Sequence, residues 1–231
     1  MLKNLKNKKI IISAGASGIG WATAKICLSR GAFVYICDLD LKSLNKIRKH
    51  SLNNKRLFSY NCDASNEEEV SNFFNQIKKK TNNIDALINN VGVAGPAAAV
   101  EDILPTEWND TIAVDLNSIF YVTRKAVPML KKSSGVMVNM SSTAGLFGCP
   151  LRSPYSAAKW AIIGLTKTWA IELGSFGVRV NAICPGSVNG SRIDKVIELD
   201  AKTRNMNPSE VRESYLSQNS MGAVSYTHLR A

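Results

Sequence analysis

Apolar residues in this chain fall into short runs that alternate with longer stretches of helical spacing. The runs at 9–13, 33–37, 56–60, 84–89, 136–140 and 178–183 are rich in Ile, Val and aromatic residues, which predicts strands. Between them, 19–29, 41–50, 67–80, 106–130 and 155–173 carry helical patterns. In the first of these, Ile19, Ala22, Ile26 and Cys27 fall near i, i+3, i+7 and i+8 and predict one buried stripe. Gly31 follows, where a helix end favours a left-handed residue. Strands alternating with helices predict an α/β fold, a doubly wound parallel sheet with helices on both faces, three layers in all. No internal repeat or low-complexity linker interrupts the pattern, so 1–223 reads as a single domain. Two polar helical stretches, 192–204 and 208–217, close it. The final 224–231, VSYTHLRA, fits no further element and resembles translated sequencing-adapter read-through. It is expected to be a non-native tail on a truncated gene.

Composition narrows the function classes. The 231 residues are 45% hydrophobic and 20% charged, an ordinary globular balance. No run of about 18 apolar residues exists, which excludes a spanning helix of that kind. The basic start MLKNLKNKKIIIS carries an apolar run of only Ile10 to Ile12, too short for a signal peptide, so a cytoplasmic location is expected. A net charge of +11 invites a polyanion partner. The lysines, however, are scattered or gathered at helix ends, and no basic run is interleaved with aromatics. A solvated lysine-rich surface is the reading, with neither nucleic acid nor membrane as partner. Five cysteines without a CxxC pair, and only His50 and His228 beside them, support neither a metal site nor a disulfide framework.

Two places carry chemistry. The first strand runs into Ser13-Ala14-Gly15-Ala16-Ser17-Gly18-Ile19-Gly20 and then a helix. Glycines at such a junction allow a tight turn and a close approach of backbone to a pyrophosphate lying on the helix N-terminus. The strict GxGxxG spacing is not met, but the position at the chain's first strand–helix junction favours a dinucleotide. Asp38 closes the second predicted strand, 18 residues after Gly20, where a carboxylate accepts hydrogen bonds from adenosine ribose hydroxyls. Beside a 2′-phosphate it would cost several kcal/mol in like-charge repulsion. No Arg or Lys stands in the glycine turn or just after Asp38 to reverse this, so NAD is expected rather than NADP.

The second place is Tyr155-Ser156-Ala157-Ala158-Lys159, with Ser142 thirteen residues upstream. Tyr155 and Lys159 are i and i+4 near the start of a helix and share a face. A phenol ordinarily ionises near pH 10. An ammonium about 4 Å away, at an effective dielectric near 20, supplies roughly 4 kcal/mol toward the phenolate, enough to bring acid–base work near neutrality. Ser142, at the end of the fifth strand, can donate to an oxygen on which charge develops.

The ordered set of glycine turn, Asn89-Asn90-Val91-Gly92, Ser142, Tyr155/Lys159 and Pro185-Gly186 resembles the short-chain dehydrogenase/reductase family, from about Lys9 to Gln218. The resemblance implies a Rossmann-type sheet and catalysis by Ser142, Tyr155 and Lys159, with Lys159 also holding the nicotinamide ribose. It implies a cofactor site built from Ser13, Gly15, Ser17, Gly18, Ile19, Gly20, Asp38, Asp63, Ala64, Asn90, Gly92, Pro185, Gly186 and Val188, together with Tyr155 and Lys159. It also implies homo-oligomers, a final strand that is missing here, and a sixth strand left as an exposed edge.

Two motif positions depart from the family. Ala14 stands where its first glycine is usual, tolerable if φ there is negative. Asp115 stands where its fourth catalytic residue is normally asparagine, whose backbone carbonyl holds a relay water.

The function expected is hydride exchange between NAD and a secondary alcohol or ketone. NADPH-linked 3-oxoacyl thioester reduction and a non-catalytic NAD-binding scaffold remain open beside it. After Pro185-Gly186 the segment 187–194 would form a mobile lid with Gly190 as hinge, and Arg192 is a candidate partner for an anionic substrate, or else pairs with Asp194 or Glu198.

Overall fold

A computed structural model describes residues 4–50 and 54–217. The chain alternates β1 (Lys9–Ser13), α1 (Gly18–Ser29), β2 (Phe33–Asp38), α2 (Leu41–His50), β3 (Leu57–Asn61), α3 (Glu67–Lys78) and β4 (Ala86–Asn89). It continues with α4 (Pro105–Ile112), α5 (Ser118–Lys131), β5 (Val136–Met140), α6 (Ser153–Gly174), β6 (Arg179–Ile183), α7 (Ser191–Arg204) and α8 (Pro208–Ser217). The six strands form one parallel sheet in the order β3-β2-β1-β4-β5-β6. After β3 the chain returns to the far side of β1, so the order reverses between β1 and β4. In an open α/β sheet the crevice at that reversal, beyond the strands' carboxyl ends, is where ligands bind.

Alternation along the strands divides the core in two. Ile10, Ile12, Val34 and Ile36 face one way and pack with Ala24 and Cys27 of α1 and Leu44 and Ile47 of α2. Ile11, Tyr35, Leu87 and Met137 face the other way, against Phe73, Phe74 and Ile77 of α3 and Val122, Ala126 and Leu130 of α5. The doubly wound, three-layered Rossmann-type architecture expected from the pattern is the one observed. The α3 sequence shows why its helix forms where it does. The Asn66 side chain accepts from the backbone N–H groups of Glu68 and Glu69, acids fill the first turn, and Val70, Phe73, Phe74 and Ile77 make the buried stripe.

Three expectations need correction. The buried stripe of α1 is Gly20, Ala24 and Cys27, while Ile26 is exposed, because small residues let this helix lie close to the sheet. The helix expected over 106–130 is interrupted at Ala113–Asn117 by a π-helical segment. The wider turn absorbs an extra residue, a local device common at functional sites. Finally, φ at Ala14 is +48°, in the left-handed region, so the condition of a negative φ is not met. An L-residue pays roughly 1–2 kcal/mol there.

Among the described residues no strand follows β6, which forms an edge of the sheet. Gly31 has φ +86°, as its place after α1 requires. The expectation for 224–231 falls outside the described residues. No helix among the described residues is long and apolar enough to cross a membrane.

Candidate active site

A cleft of about 520 Å³ opens at the carboxyl ends of the strands. Ile19, Asn90, Ser142, Tyr155, Lys159, Pro185, Gly186 and Val188 line it, so the glycine turn reaches the cleft through Ile19, while Ser13, Gly15, Ser17, Gly18, Gly20, Asp38 and Gly92 are not among its lining residues.

The turn after β1 is built from backbone. Ser13 accepts through Oγ from the N–H of Asn90 (3.0 Å), and Asn90 Nδ2 donates to the carbonyl of Ala14 (3.0 Å), tying the turn to the end of β4. Gly15 and Gly20 sit where no side chain fits. A Cβ on Gly15 would meet Ile36 at 2.6 Å, and one on Gly20 would meet the Ala14 carbonyl oxygen at 2.2 Å. Gly18 differs, with φ +51° and open space where its Cβ would be. Ser17 precedes α1 without capping it through its side chain, and no acid occupies the first turn. The N-terminus of α1 thus carries no side-chain cap and no acid, which suits a pyrophosphate. Asp38 Oδ2 accepts from the N–H of Ala16 (2.9 Å), which fixes its carboxylate beside the turn. Asp63 and Ala64 follow β3 away from the cleft lining, and Asp63 Oδ1 accepts from the Ser65 N–H and hydroxyl.

The other side is built from side chains. Ser142 follows β5 and its Oγ accepts from the N–H of Ala144 (3.2 Å), heading a short 3-10 turn. Tyr155 and Lys159 lie in the first turns of α6, with Lys159 Nζ 5.4 Å from the Tyr155 ring centroid. Neighbouring Ser141 donates through its hydroxyl to the Lys159 carbonyl (2.8 Å), pinning α6 to the end of β5. Lys159 is 3% exposed and its Nζ also reaches the Met140 carbonyl at 3.4 Å.

Asp115, in the π-helical segment, is fully buried beside Lys159. Its Oδ1 accepts from the N–H of Val93 (2.6 Å) and its Oδ2 lies 3.3 Å from Lys159 Nζ. Burial pushes the Asp115 carboxyl above its ordinary value, against the opposing pull of the Lys159 ammonium, the Val93 N–H and the Arg192 guanidinium. Gly92 packs closely against this pair, since a Cβ there would come 3.0 Å from Lys159 Nζ and press on it.

Sequence reasoning missed a second buried charge pair. Arg152, three residues before Tyr155, is 3% exposed and bonds Asp200 of α7, itself 1% exposed. Tyr215 of α8 donates its hydroxyl to Asp200 Oδ2 (2.5 Å), and Arg152 also donates to the carbonyl of Gly95 (3.1 Å). This cluster fastens the two-helix lid, whose apolar contacts are Ile193, Ile197, Ala201 and Val211, over the cleft. Positions 152, 200 and 215 are too far apart in sequence for spacing to show it. Also missed was a polar ladder in which Asn89 Nδ2 donates to Thr123 and Asn139, and Asn139 Nδ2 donates to Thr166. It braces β4 and β5 against α5 and α6. The sequence shows Asn89 as the end of the fourth predicted strand and the start of the Asn89-Asn90-Val91-Gly92 motif, and not these partners. Arg192 lines the cleft, and Asp194, one of its two expected partners, instead pairs with Arg212 (2.5 Å).

Comparison with known proteins identifies the family. The short chain dehydrogenase family profile matches residues 8–202. The chain is 32% identical over 220 residues to a 3-oxoacyl-[acyl-carrier-protein] reductase of Thermotoga maritima, covering 94% of this chain and 85% of that protein. It is 34% identical over 223 residues to a sorbitol-6-phosphate 2-dehydrogenase of Klebsiella pneumoniae, covering 92% and 81%. A D-beta-hydroxybutyrate dehydrogenase of Rhizobium meliloti is 33% identical over 210 residues, covering 88% and 80%. The crystal structure of NAD+-bound xylitol dehydrogenase superposes with a TM-score of 0.92 at 27% identity, covering 97% of this chain and 89% of that one. The chain belongs to the short-chain dehydrogenase/reductase family and is an oxidoreductase of alcohol or ketone groups.

Proposed function

We propose that this protein uses NAD to interconvert a secondary alcohol and a ketone, with Tyr155 as general acid–base. The observation that carries the reading is the side-by-side placement of Tyr155 and the Lys159 ammonium, 5.4 Å from ring centroid to Nζ, in a cleft that Ser142 also lines. Ser13, Gly15, Ser17, Gly18, Ile19 and Gly20 would take the pyrophosphate and Asp38 the adenosine ribose. Asp63 and Ala64 would stand near adenine, and Asn90, Gly92, Pro185, Gly186 and Val188 would border the nicotinamide end. The dinucleotide, when bound, supplies the hydride acceptor or donor.

The chain's own work is placement and proton handling. In the oxidative direction the Tyr155 oxygen takes the proton of the alcohol hydroxyl. The Lys159 ammonium favours the phenolate that does so. The Ser142 hydroxyl donates to the same substrate oxygen, holding it as its charge changes. In reduction Tyr155 returns the proton to the ketone oxygen.

Asp38 supports NAD, because its carboxylate, held by the Ala16 N–H, would repel a 2′-phosphate. The Thermotoga relative favours a second reading, NADPH-linked reduction of a 3-oxoacyl thioester, which Asp38 opposes. Substrate charge has a candidate determinant in Arg192. It lines the cleft, no Asp or Glu is among the lining residues, and Asp194 is held by Arg212. An anionic alcohol fits such a wall, and the names of two relatives specify a phosphate ester and a hydroxy acid. Assembly of like copies belongs to the same reading, supported by exposed Phe120, Trp160 and Ile171 on α5 and α6.

The test is turnover of neutral and anionic secondary alcohols with NAD or NADP, read by the near-ultraviolet absorbance of reduced nicotinamide. Turnover with NAD that disappears in Tyr155→Phe supports the reading. Faster turnover with NADP would overturn the role of Asp38, and tight NAD binding without turnover would leave a scaffold. Equal loss of kcat/KM for charged and neutral alcohols in Arg192→Ala would remove the anion preference.

A further inference from the structure

Asp115 places a buried carboxyl where the family resemblance leads one to expect an amide, and its geometry separates two functions of one side chain. Oδ1 accepts from the Val93 N–H at 2.6 Å, a bond that an amide oxygen in the same place could accept equally well. Oδ2 has no hydrogen-bond partner and lies 3.3 Å from Lys159 Nζ, with both side chains almost wholly buried. What a carboxylate adds at this position is therefore negative charge 3.3 Å from the same Lys159 Nζ that lies 5.4 Å from the Tyr155 ring centroid. A phenol beside a lone ammonium feels a full positive charge, whereas one beside an ammonium–carboxylate pair feels a dipole, and the attraction for phenolate is correspondingly weaker.

We propose that Asp115 is a positioning residue that offsets the Lys159 charge and thereby moves the pH range in which Tyr155 exchanges its proton toward the alkaline side. The inference rests on the acid–base role proposed for Tyr155. Burial raises the Asp115 carboxyl, and the charged groups that oppose this and favour its ionised form are Lys159 from α6 and Arg192 from the start of α7. From α4, Glu107 accepts from the Leu104 N–H, and from α5, Arg124 pairs with Glu67, so these charges are committed elsewhere. The Asn90–Val93 loop brings no titratable side chain. Arg192 adds positive charge from the solvent side, where screening weakens it.

The experiment compares wild type, Asp115→Asn and Asp115→Ala across pH. The asparagine variant keeps an acceptor for Val93 and removes only the charge, whereas alanine removes both. The expected result is that the rising limb of kcat/KM for alcohol oxidation moves to lower pH, by about one unit, in both variants. A spectroscopic titration of phenolate absorbance, each variant referenced to the same variant carrying Tyr155→Phe, reads the same shift without substrate or cofactor. A limb and titration that stay in place in Asp115→Asn overturn the proposal, as does a move to higher pH, the result if Lys159 loses its proton once unpaired. A shift confined to Asp115→Ala also overturns it, since that reports the Val93 bond and not the charge. Retained turnover in Tyr155→Phe would instead defeat the acid–base assignment itself, so the two failures are distinguishable.

Discussion

The two sides of the cleft achieve their geometry by different means. On the β1–α1 side, the turn is shaped by main chain. Glycines pack against Ile36 and the Ala14 carbonyl, N–H groups hold Asp38, and space is left open over Gly18. On the β5–α6–α7 side, the shape comes from ionised side chains taken out of water in pairs, Lys159 with Asp115 and Arg152 with Asp200. At Ala14 the backbone cradle accepts an L-residue in a left-handed position at a modest cost. A buried charge has no such latitude. Removing its partner leaves it unpaired in a medium that cannot solvate it, even where the pair itself contributes little net stability.

Substitutions can break or sharpen this contrast. The largest effect is expected at the chemical step. Tyr155→Phe should lower kcat/KM by on the order of 10²–10⁴-fold with the fold intact, measured by steady-state kinetics beside circular dichroism. Next comes Asp200→Ala, which strands Arg152 and removes the acceptor of the Tyr215 hydroxyl. It should cost about 3–5 kcal/mol, read as faster hydrogen exchange in α7 and α8, and a change no larger than that of an exposed Asp would refute the paired-charge account. On the backbone side the expected change is smaller and of opposite sign. Ala14→Gly should stabilise the chain by about 0.5–1 kcal/mol in denaturant unfolding, through relief of the positive φ offset by the greater freedom of glycine when unfolded.

The smallest effect is pH-dependent. Burial, and then the hydrogen bond to the Asp200 carboxylate, raises the Tyr215 phenol above its ordinary value of 10.0. The folded lid thus favours the protonated phenol. Its contribution is complete below about pH 10 and declines as pH rises past that unfolded-state value toward the higher folded one. Tyr215→Phe should flatten this alkaline decline in lid stability, as followed by hydrogen exchange.

Legibility from sequence divided along similar lines. The strands were readable because parallel strands covered on both faces are short apolar runs, and Ile10, Ile11 and Ile12 feed both cores. Tyr155 and Lys159 could be paired from spacing alone, since i and i+4 share a helix face. Ser142 could be placed only at a strand end, because its approach to Tyr155 depends on β5 and α6 packing together. The α1 stripe was misread because hydrophobicity marked Ile26, while the close approach of the helix selected the small residues Gly20 and Ala24.

The alternation of apolar runs and helical spacing determined the doubly wound sheet, and the order of the motifs determined the family, because both depend on local periodicity and on residues near one another in the chain. Tertiary structure alone decided that Asp115 turns inward to face Lys159, that Arg152 is committed to Asp200, and that Ala14 carries a positive φ. Each of these is settled by which groups meet when distant segments pack and water is excluded. Coulomb energy and steric fit then act between residues whose separation along the sequence says nothing of their distance in space.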